Sequence, residues 1–260
     1  MGLLPYCAWN SCFRYPLLHS STHCILIPAI PQSEFVEGKV LLIDKPLKWT
    51  SFDAVNKVRW QLKQHLKQKL KVGHAGTLDP LATGLLIICT GKFTKRIDEF
   101  QGQEKEYTGT FIIGATTPSS DLEHEIDFHF PIEHITDELI HNTTKQFTGT
   151  IDQSPPLFSA VKVNGKRAYK LARAGDATVL PTRKVEIREF EICEIQKVGN
   201  LITVKFRVAC SKGTYIRSLA RDFGAALNSG AHLGSLRRTR IGTFSIDAAF
   251  SIEDFVKTIT

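Results

Sequence analysis

The stretch Gly73-His-Ala-Gly-Thr-Leu-Asp-Pro-Leu-Ala-Thr-Gly84 constrains this chain more than any other. It packs three glycines, a histidine and an Asp-Pro step into twelve residues. On its N-terminal side, Val55, Val58, Leu62, Leu66 and Leu70 recur at helical spacing with basic residues between them, which predicts an amphipathic helix ended by Gly73. Thr50-Ser-Phe-Asp53 reads as the capping box that starts it. On its C-terminal side, Leu85-Leu-Ile-Ile-Cys89 is an unbroken apolar run closed by Gly91 and reads as a buried strand. The chain must therefore pass from helix to buried strand through a glycine-rich loop. Asp79 precedes Pro80, which biases it away from helical backbone and holds its carboxylate in a turn or extended geometry. From spacing alone, a functional loop and a tight connection whose Asp caps a turn are equally good readings.

Strand signals dominate elsewhere. Lys39-Val-Leu-Leu-Ile43 runs into the turn Asp44-Lys45-Pro46, and Tyr107 to Ile113 alternates. Asn164-Gly165 is the strongest hairpin signal, and Lys184 to Ile195 and Leu201 to Cys210 are strands joined at Gly199-Asn200. Thr214 to Leu227 reads as a helix, followed by short elements over Gly234 to Phe244 and Ile252 to Val256. Many hairpin-linked strands and few helices predict an α+β fold with a large mixed or antiparallel sheet. Residues 1–34 differ: Pro interrupts every apolar run, and Arg14 and Glu34 are the only charges. That pattern fits no secretory signal and predicts a poorly ordered extension before a folded domain over residues 35–260.

Charge narrows the function classes. The chain carries +7, and the window Lys205 to Arg240 alone holds eight basic residues against the single acid Asp222. A second block, Lys57, Arg59, Lys63, Lys67, Lys69 and Lys71, has no acid between Ala54 and Leu78, whereas Asp98 to Asp137 is acidic. Each run alone reads as a solvated face. Two basic blocks separated by an acidic one fit a one-sided phosphate-binding surface better. No apolar stretch reaches the ~18 residues of a membrane span. Of the six cysteines, Cys89 and Cys210 lie in apolar runs and read as buried thiols. Cys7, Cys12 and Cys24 sit near His19 and His23 in no common zinc spacing, so no metal is expected. Reduced thiols point to the cytoplasm.

The segment Gly73 to Leu86 resembles the catalytic segment of the TruB family of tRNA pseudouridine synthases. Further stretches resemble that family in order: Lys39 to Pro46 with Trp49-Thr-Ser51, Lys105-Glu-Tyr107, Gln153-Ser-Pro-Pro156 with Ser159-Ala-Val-Lys162, and Cys210 to Asp222 with Ala231-His-Leu233 and Leu236-Arg-Arg238. The resemblance implies the pseudouridine synthase fold, with a large, mixed, mostly antiparallel sheet flanked by helices and a central RNA-binding cleft. It implies an isomerase that converts uridine 55 in the T-loop of tRNA to pseudouridine. It also implies an essential carboxylate at Asp79, with Arg217 paired to it, and His74, Tyr107, Tyr215 and Leu236 around a flipped-out nucleotide. Neither cofactor nor metal is expected, and tRNA is the implied partner of a monomeric protein. Many bacterial members carry a small PUA-like domain after the catalytic part; only a few residues follow Phe255, so none is expected here.

The residue types suit that chemistry. Breaking a glycosidic bond builds positive charge on the sugar, which a carboxylate stabilises or captures. One carboxylate suffices, because the base is retained and no water is activated. A carboxylate in a dry pocket tends to protonate, and a nearby Arg favours the ionised form. Arg217 equally suits a phosphate contact. Tyr107 offers a stacking face and a hydroxyl, although position alone reads it as a core tyrosine; Tyr215 carries the same alternative, His74 reads also as a turn histidine, and Leu236 as core. A non-catalytic RNA-binding module and a nucleoside hydrolase are the competing classes.

Overall fold

The computed structural model describes residues 31–159, 161–163, 165–168, 171 and 180–259. In chain order the helices are α1 Gln32–Glu37, α2 Ser51–Leu66, α3 Ile97–Gly102, α4 Asp137–Thr144, α5 Ile216–Ala226 and α6 Ile252–Lys257. The strands are β1 Val40–Lys45, β2 Val72–Ala75, β3 Ala82–Thr90, β4 Lys105–Ile113, β5 Ala115–Thr116, β6 Phe128–His129, β7 Gly149–Gln153, β8 Lys162–Val163, β9 Lys166–Arg167, β10 Arg183–Val198, β11 Leu201–Cys210, β12 Ala231–Ile241 and β13 Phe244–Ser245.

Nine strands form one sheet in the order β1-β3-β12-β4-β11-β10-β7, with β2 added to β3 and β13 to β12. Every pairing is antiparallel except β12 with β3. This is the mixed α+β architecture, and β12 decides its shape. It comes late in the chain yet fills the gap between β3 and β4, pairing Leu236 with Ala82 on one side and with Gly109 on the other. Gly84 shows why the sequence tolerates this. Its φ is +102°, and a Cβ there would lie 2.3 Å from the Arg238 carbonyl oxygen.

β3 is covered on both faces, which explains its unbroken apolar run. Leu86 and Ile88 join α2 residues Val55, Val58 and Leu62 in one cluster; Leu85, Ile87 and Cys89 face another with Phe100 and Ile241. The largest cluster lies under α4 and α5, where Phe111, Phe190, Phe206 and Phe223 pack ring on ring. No described helix is long and apolar enough to cross a membrane.

Several sequence expectations hold. The Thr50 capping box is complete, with Asp53 N–H donating to Thr50 Oγ1 and Asp53 Oδ2 accepting from Thr50 N–H. A β8–β9 hairpin flanks Gly165. Others are corrected. Helix α2 ends at Leu66, not at Gly73, because Lys67 adopts the left-handed conformation (φ 54°). Leu70 mimics another helical turn because its side chain still packs on the same cluster from outside the helix. The Gly234 to Phe244 element is not short: β12 runs eleven residues through the middle of the sheet. Order also begins before residue 35: α1 starts at Gln32, it buries Phe35 completely, and the Phe35 carbonyl accepts from Thr90 Oγ1. Residues 1–30, with Cys7, Cys12, Cys24, His19 and His23, lie outside the described residues.

Candidate active site

Asp79 sits on the loop between β2 and β3, which two neighbouring elements pin. Ser51 Oγ, at the first turn of α2, accepts from Leu78 N–H (2.8 Å) and donates to Leu78 carbonyl (3.1 Å). Lys48 N–H donates to the Pro80 carbonyl, and Ala82 N–H closes a turn on the Asp79 carbonyl. The loop borders a cavity of about 1040 Å³. Asp79, Tyr107, Tyr215, Arg217 and Leu236 all line it. His74 does not: it lies on β2 just before the loop, with Nδ1 buried and without a hydrogen-bond partner. Burial and the nearby Arg238 charge hold the His74 imidazole below its ordinary pKa, which favours its neutral form.

Arg217 is the electrostatic centre. It lies on the first turn of α5, and its side chain is 5% exposed, against 42% for Asp79. Its Nε makes an ion pair with Asp79 Oδ2 at 2.9 Å, and buried Asp121 approaches the same Nε at 3.5 Å. Its Nη1 and Nη2 donate to the carbonyls of Ser119 (3.2 Å) and Phe158 (3.0 Å). The guanidinium is thus fixed by buried backbone while one carboxylate stays open to the cavity. A carboxylate held in this way is positioned to meet positive charge that develops on a bound sugar.

The tyrosines are held differently. Gln153, fully buried at the end of β7, takes the Tyr215 backbone from both sides: its Nε2 donates to the Tyr215 carbonyl (3.1 Å) and its Oε1 accepts from Tyr215 N–H (2.8 Å). The Arg183 guanidinium lies over the Tyr215 ring, 4.5 Å from its centroid, and also donates to the Gly213 carbonyl. Tyr107 is part of the main core, and burial keeps its phenol protonated beyond the ordinary range. Beneath the loop, Arg238 is 1% exposed and donates from Nε to Leu85 carbonyl (2.7 Å) and from Nη2 to Gly76 carbonyl (3.1 Å). Lys105 donates to the Gln101 carbonyl (2.6 Å), and burial lowers its pKa to about 8.

These contacts correct the charge reading. The Lys205 to Arg240 block is not one phosphate-binding surface. Lys205 pairs with Glu194, Arg207 with Glu106, Glu189 and Glu191, Arg221 with Asp222, Arg237 with Asp44, and Arg240 with Glu104. Arg217 and Arg238 are buried. Of the block, only Lys212 lines the cavity without a carboxylate partner among the described residues; Arg183 and Lys184, from outside the block, line it too, with Lys184 paired to Asp152 at 3.5 Å.

The comparisons with known proteins come down on one family. Residues 63–216 match the model of the TruB family pseudouridylate synthase N-terminal domain, and residues 217–260 match that of the tRNA pseudouridylate synthase B C-terminal domain. The chain belongs to the TruB family. Proteins named tRNA pseudouridine synthase B include one from Flavobacterium johnsoniae, 62% identical over 87% of this chain and 98% of its own length. Another, from Parabacteroides distasonis, is 57% identical over 86% of this chain and 95% of its length. Among solved structures, a Cbf5-Nop10-Gar1 complex matches at 30% identity with a TM-score of 0.65, covering 88% of this chain and 56% of that one. An H/ACA RNP bound to a substrate RNA containing 2′-deoxyuridine matches at 26% identity and a TM-score of 0.61, covering 88% and 57%. The fold is the pseudouridine synthase fold.

Within this TruB-family chain, sequence reasoning missed Asp121, Gln153 as a clamp, and Arg183. Asp121 sat in a segment read only as acidic, and its burial was invisible. Gln153 was part of a quoted stretch, but nothing local assigns it a partner 62 residues away.

Proposed function

We propose that this protein isomerises uridine 55 in the T-loop of tRNA to pseudouridine, with Asp79 as the essential carboxylate. The observation that carries the reading is the cavity-facing Asp79 held 2.9 Å from a buried arginine. The names of the relatives in the Flavobacterium and Parabacteroides species support the substrate class.

The target uridine turns out of its stack into the cavity. Its C1′–N1 bond breaks while Asp79 captures the ribose or removes its 2′ proton. The detached uracil rotates, and C5 bonds to C1′ as the Asp79–ribose bond breaks or as Asp79 returns the 2′ proton; the C5 proton then leaves, and N1 gains one. Nothing is oxidised or reduced, and no cofactor or metal is assigned a role. Tyr107 and Tyr215 flank the base, and Arg217 fixes Asp79. Leu236 packs beside the nucleotide. His74, on β2 just before the loop, fills the gap that the extruded base leaves. The enzyme works as a cytoplasmic monomer.

Incubation with tRNA tritiated at uridine C5 tests this. Isomerisation frees tritium to water. Release of labelled base would indicate a nucleoside hydrolase, and no release would indicate a binding module; either outcome overturns the proposal. Asp79→Ala is expected to abolish release while tRNA binding survives, and retained turnover in that variant would remove Asp79 from its role.

A further inference from the structure

We infer that the exposed face of α2, with the basic segment that follows it, is a second contact surface for the substrate RNA, gripping its phosphate backbone away from the nucleotide in the cavity. The inference rests on the RNA-substrate reading above and adds a place on the molecule to it.

Three observations converge on this face. Lys57, Arg59, Lys63, Lys67, Lys69 and Lys71 have no ion-pair partner among the described residues, unlike the cations of the β11–β12 block. Lys63, Lys67, Lys69 and Lys71 are exposed. Two aromatic rings share the helix with them: Phe52 is 60% exposed and Trp60 53%. Arg59 lies 5.9 Å from the Phe52 centroid and Lys57 5.4 Å from that of Trp60. Phe52, Asn56, Arg59 and Lys63 follow the spacing of one helical stripe, with Trp60 beside it. Finally, the stripe begins at the site. Ser51 is bonded to Leu78, the residue before Asp79, and sixteen helical residues reach about 24 Å from there.

The chemistry of the occupant follows. A lysine-rich surface is a poor protein interface, since lysine is depleted there. A membrane-surface helix needs a free apolar face, but Ala54, Val55, Val58 and Leu62 are buried in the core. Arg59 donates to Asn56 Oδ1 and to the Val72 carbonyl, but none of the six cations is neutralised by a carboxylate among the described residues; such cations, interspersed with exposed rings, match a polyanion whose bases have π faces.

The test uses the full chain and unmodified tRNA. In Lys63→Glu/Lys67→Glu/Lys69→Glu, the slope of log affinity against log salt should shrink by about three. Affinity at low salt should fall about tenfold or more. The single-turnover rate of tritium release at saturating enzyme should stay within about twofold of wild type, because the cavity is untouched. The corresponding triple Gln variant should show the same change in slope and guards against misfolding by charge reversal. Quenching of indole emission by tRNA should diminish in Trp60→Phe. Unchanged slope and affinity in both triple variants would overturn the proposal. So would a collapse of the saturated rate with affinity intact, which would place these lysines behind the catalytic loop. A wild-type protein that binds tRNA with the expected slope yet frees no tritium would sink the isomerase reading while leaving this surface standing.

Discussion

Two basic regions of this molecule look alike as strings of residues and behave oppositely in the fold. The cations of β11, α5 and β12 are drawn into the sheet and the cavity wall, where carboxylates or buried carbonyls satisfy most of them. Those of α2 and the segment after it have no ion-pair partner among the described residues, and Lys63, Lys67, Lys69 and Lys71 are exposed. The difference teaches that cationic density predicts a polyanion surface only where the fold supplies no counter-charge. β4 and β10 lie on either side of β11 and present Glu106, Glu189 and Glu191 to Arg207. On the outward face of α2 no carboxylate among the described residues pairs with the cations.

Breaking the enclosed region should cost activity or stability, and breaking the open one should cost RNA affinity. The largest effect is expected at Arg217→Lys, which keeps the charge but loses the fork that joins Asp79, Asp121 and two carbonyls. Single-turnover tritium release should fall by roughly a hundredfold to a thousandfold with tRNA affinity unchanged; parallel losses in both would move Arg217 onto the phosphate-binding surface. Arg238→Met should come next. It strands the Leu85 and Gly76 carbonyls and should lower urea-unfolding stability by about 2–4 kcal/mol, leaving the salt slope of binding alone. A reduced slope would return Arg238 to the RNA surface.

Buried lysines near the cavity give a pH test. Burial lowers Lys45 and Lys105 from 10.5 to about 8. Between those values the unfolded chain binds more protons than the folded one, so stability rises with pH. Burial raises Cys89 from 9.0 to about 11 and Cys210 to about 12, which opposes the rise above pH 9. The unfolding midpoint should therefore increase from pH 8 to 9 and flatten beyond. Lys45→Met should remove part of the increase, at most about 1.4 kcal/mol per pH unit; an identical profile would show that Lys45 does not titrate there. The smallest effect belongs to Arg237→Gln. Its pair with Asp44 is partly exposed on both sides. A loss of about 0.5 kcal/mol and an unchanged salt slope are expected, and a clear fall in slope would blur the contrast between the two regions.

The sequence carried those parts of the fold whose cause is local. The capping box at Thr50 needs only residues three apart, and β3 announces itself because both faces are covered and every side chain from Leu85 to Cys89 is apolar. The loop that bears Asp79 was legible as a constrained turn because its glycines and Asp-Pro step restrict backbone wherever they stand, and only the family resemblance favoured a functional role for it. Helix α2 was overextended because Leu70 obeys the helical period while the backbone has already turned at Lys67.

What the sequence by itself determined is the set of elements, the loop that bears Asp79, and a family resemblance spread over ordered stretches. Only the tertiary structure decided which cations are neutralised, that Asp121 shares Arg217, and that Gln153 holds Tyr215. Those choices follow from β12 entering between β3 and β4 and from the end of β7 meeting the residue before α5, contacts between residues far apart in the chain. Burial and ion pairing depend on distance in space, and no local pattern of residues encodes that distance.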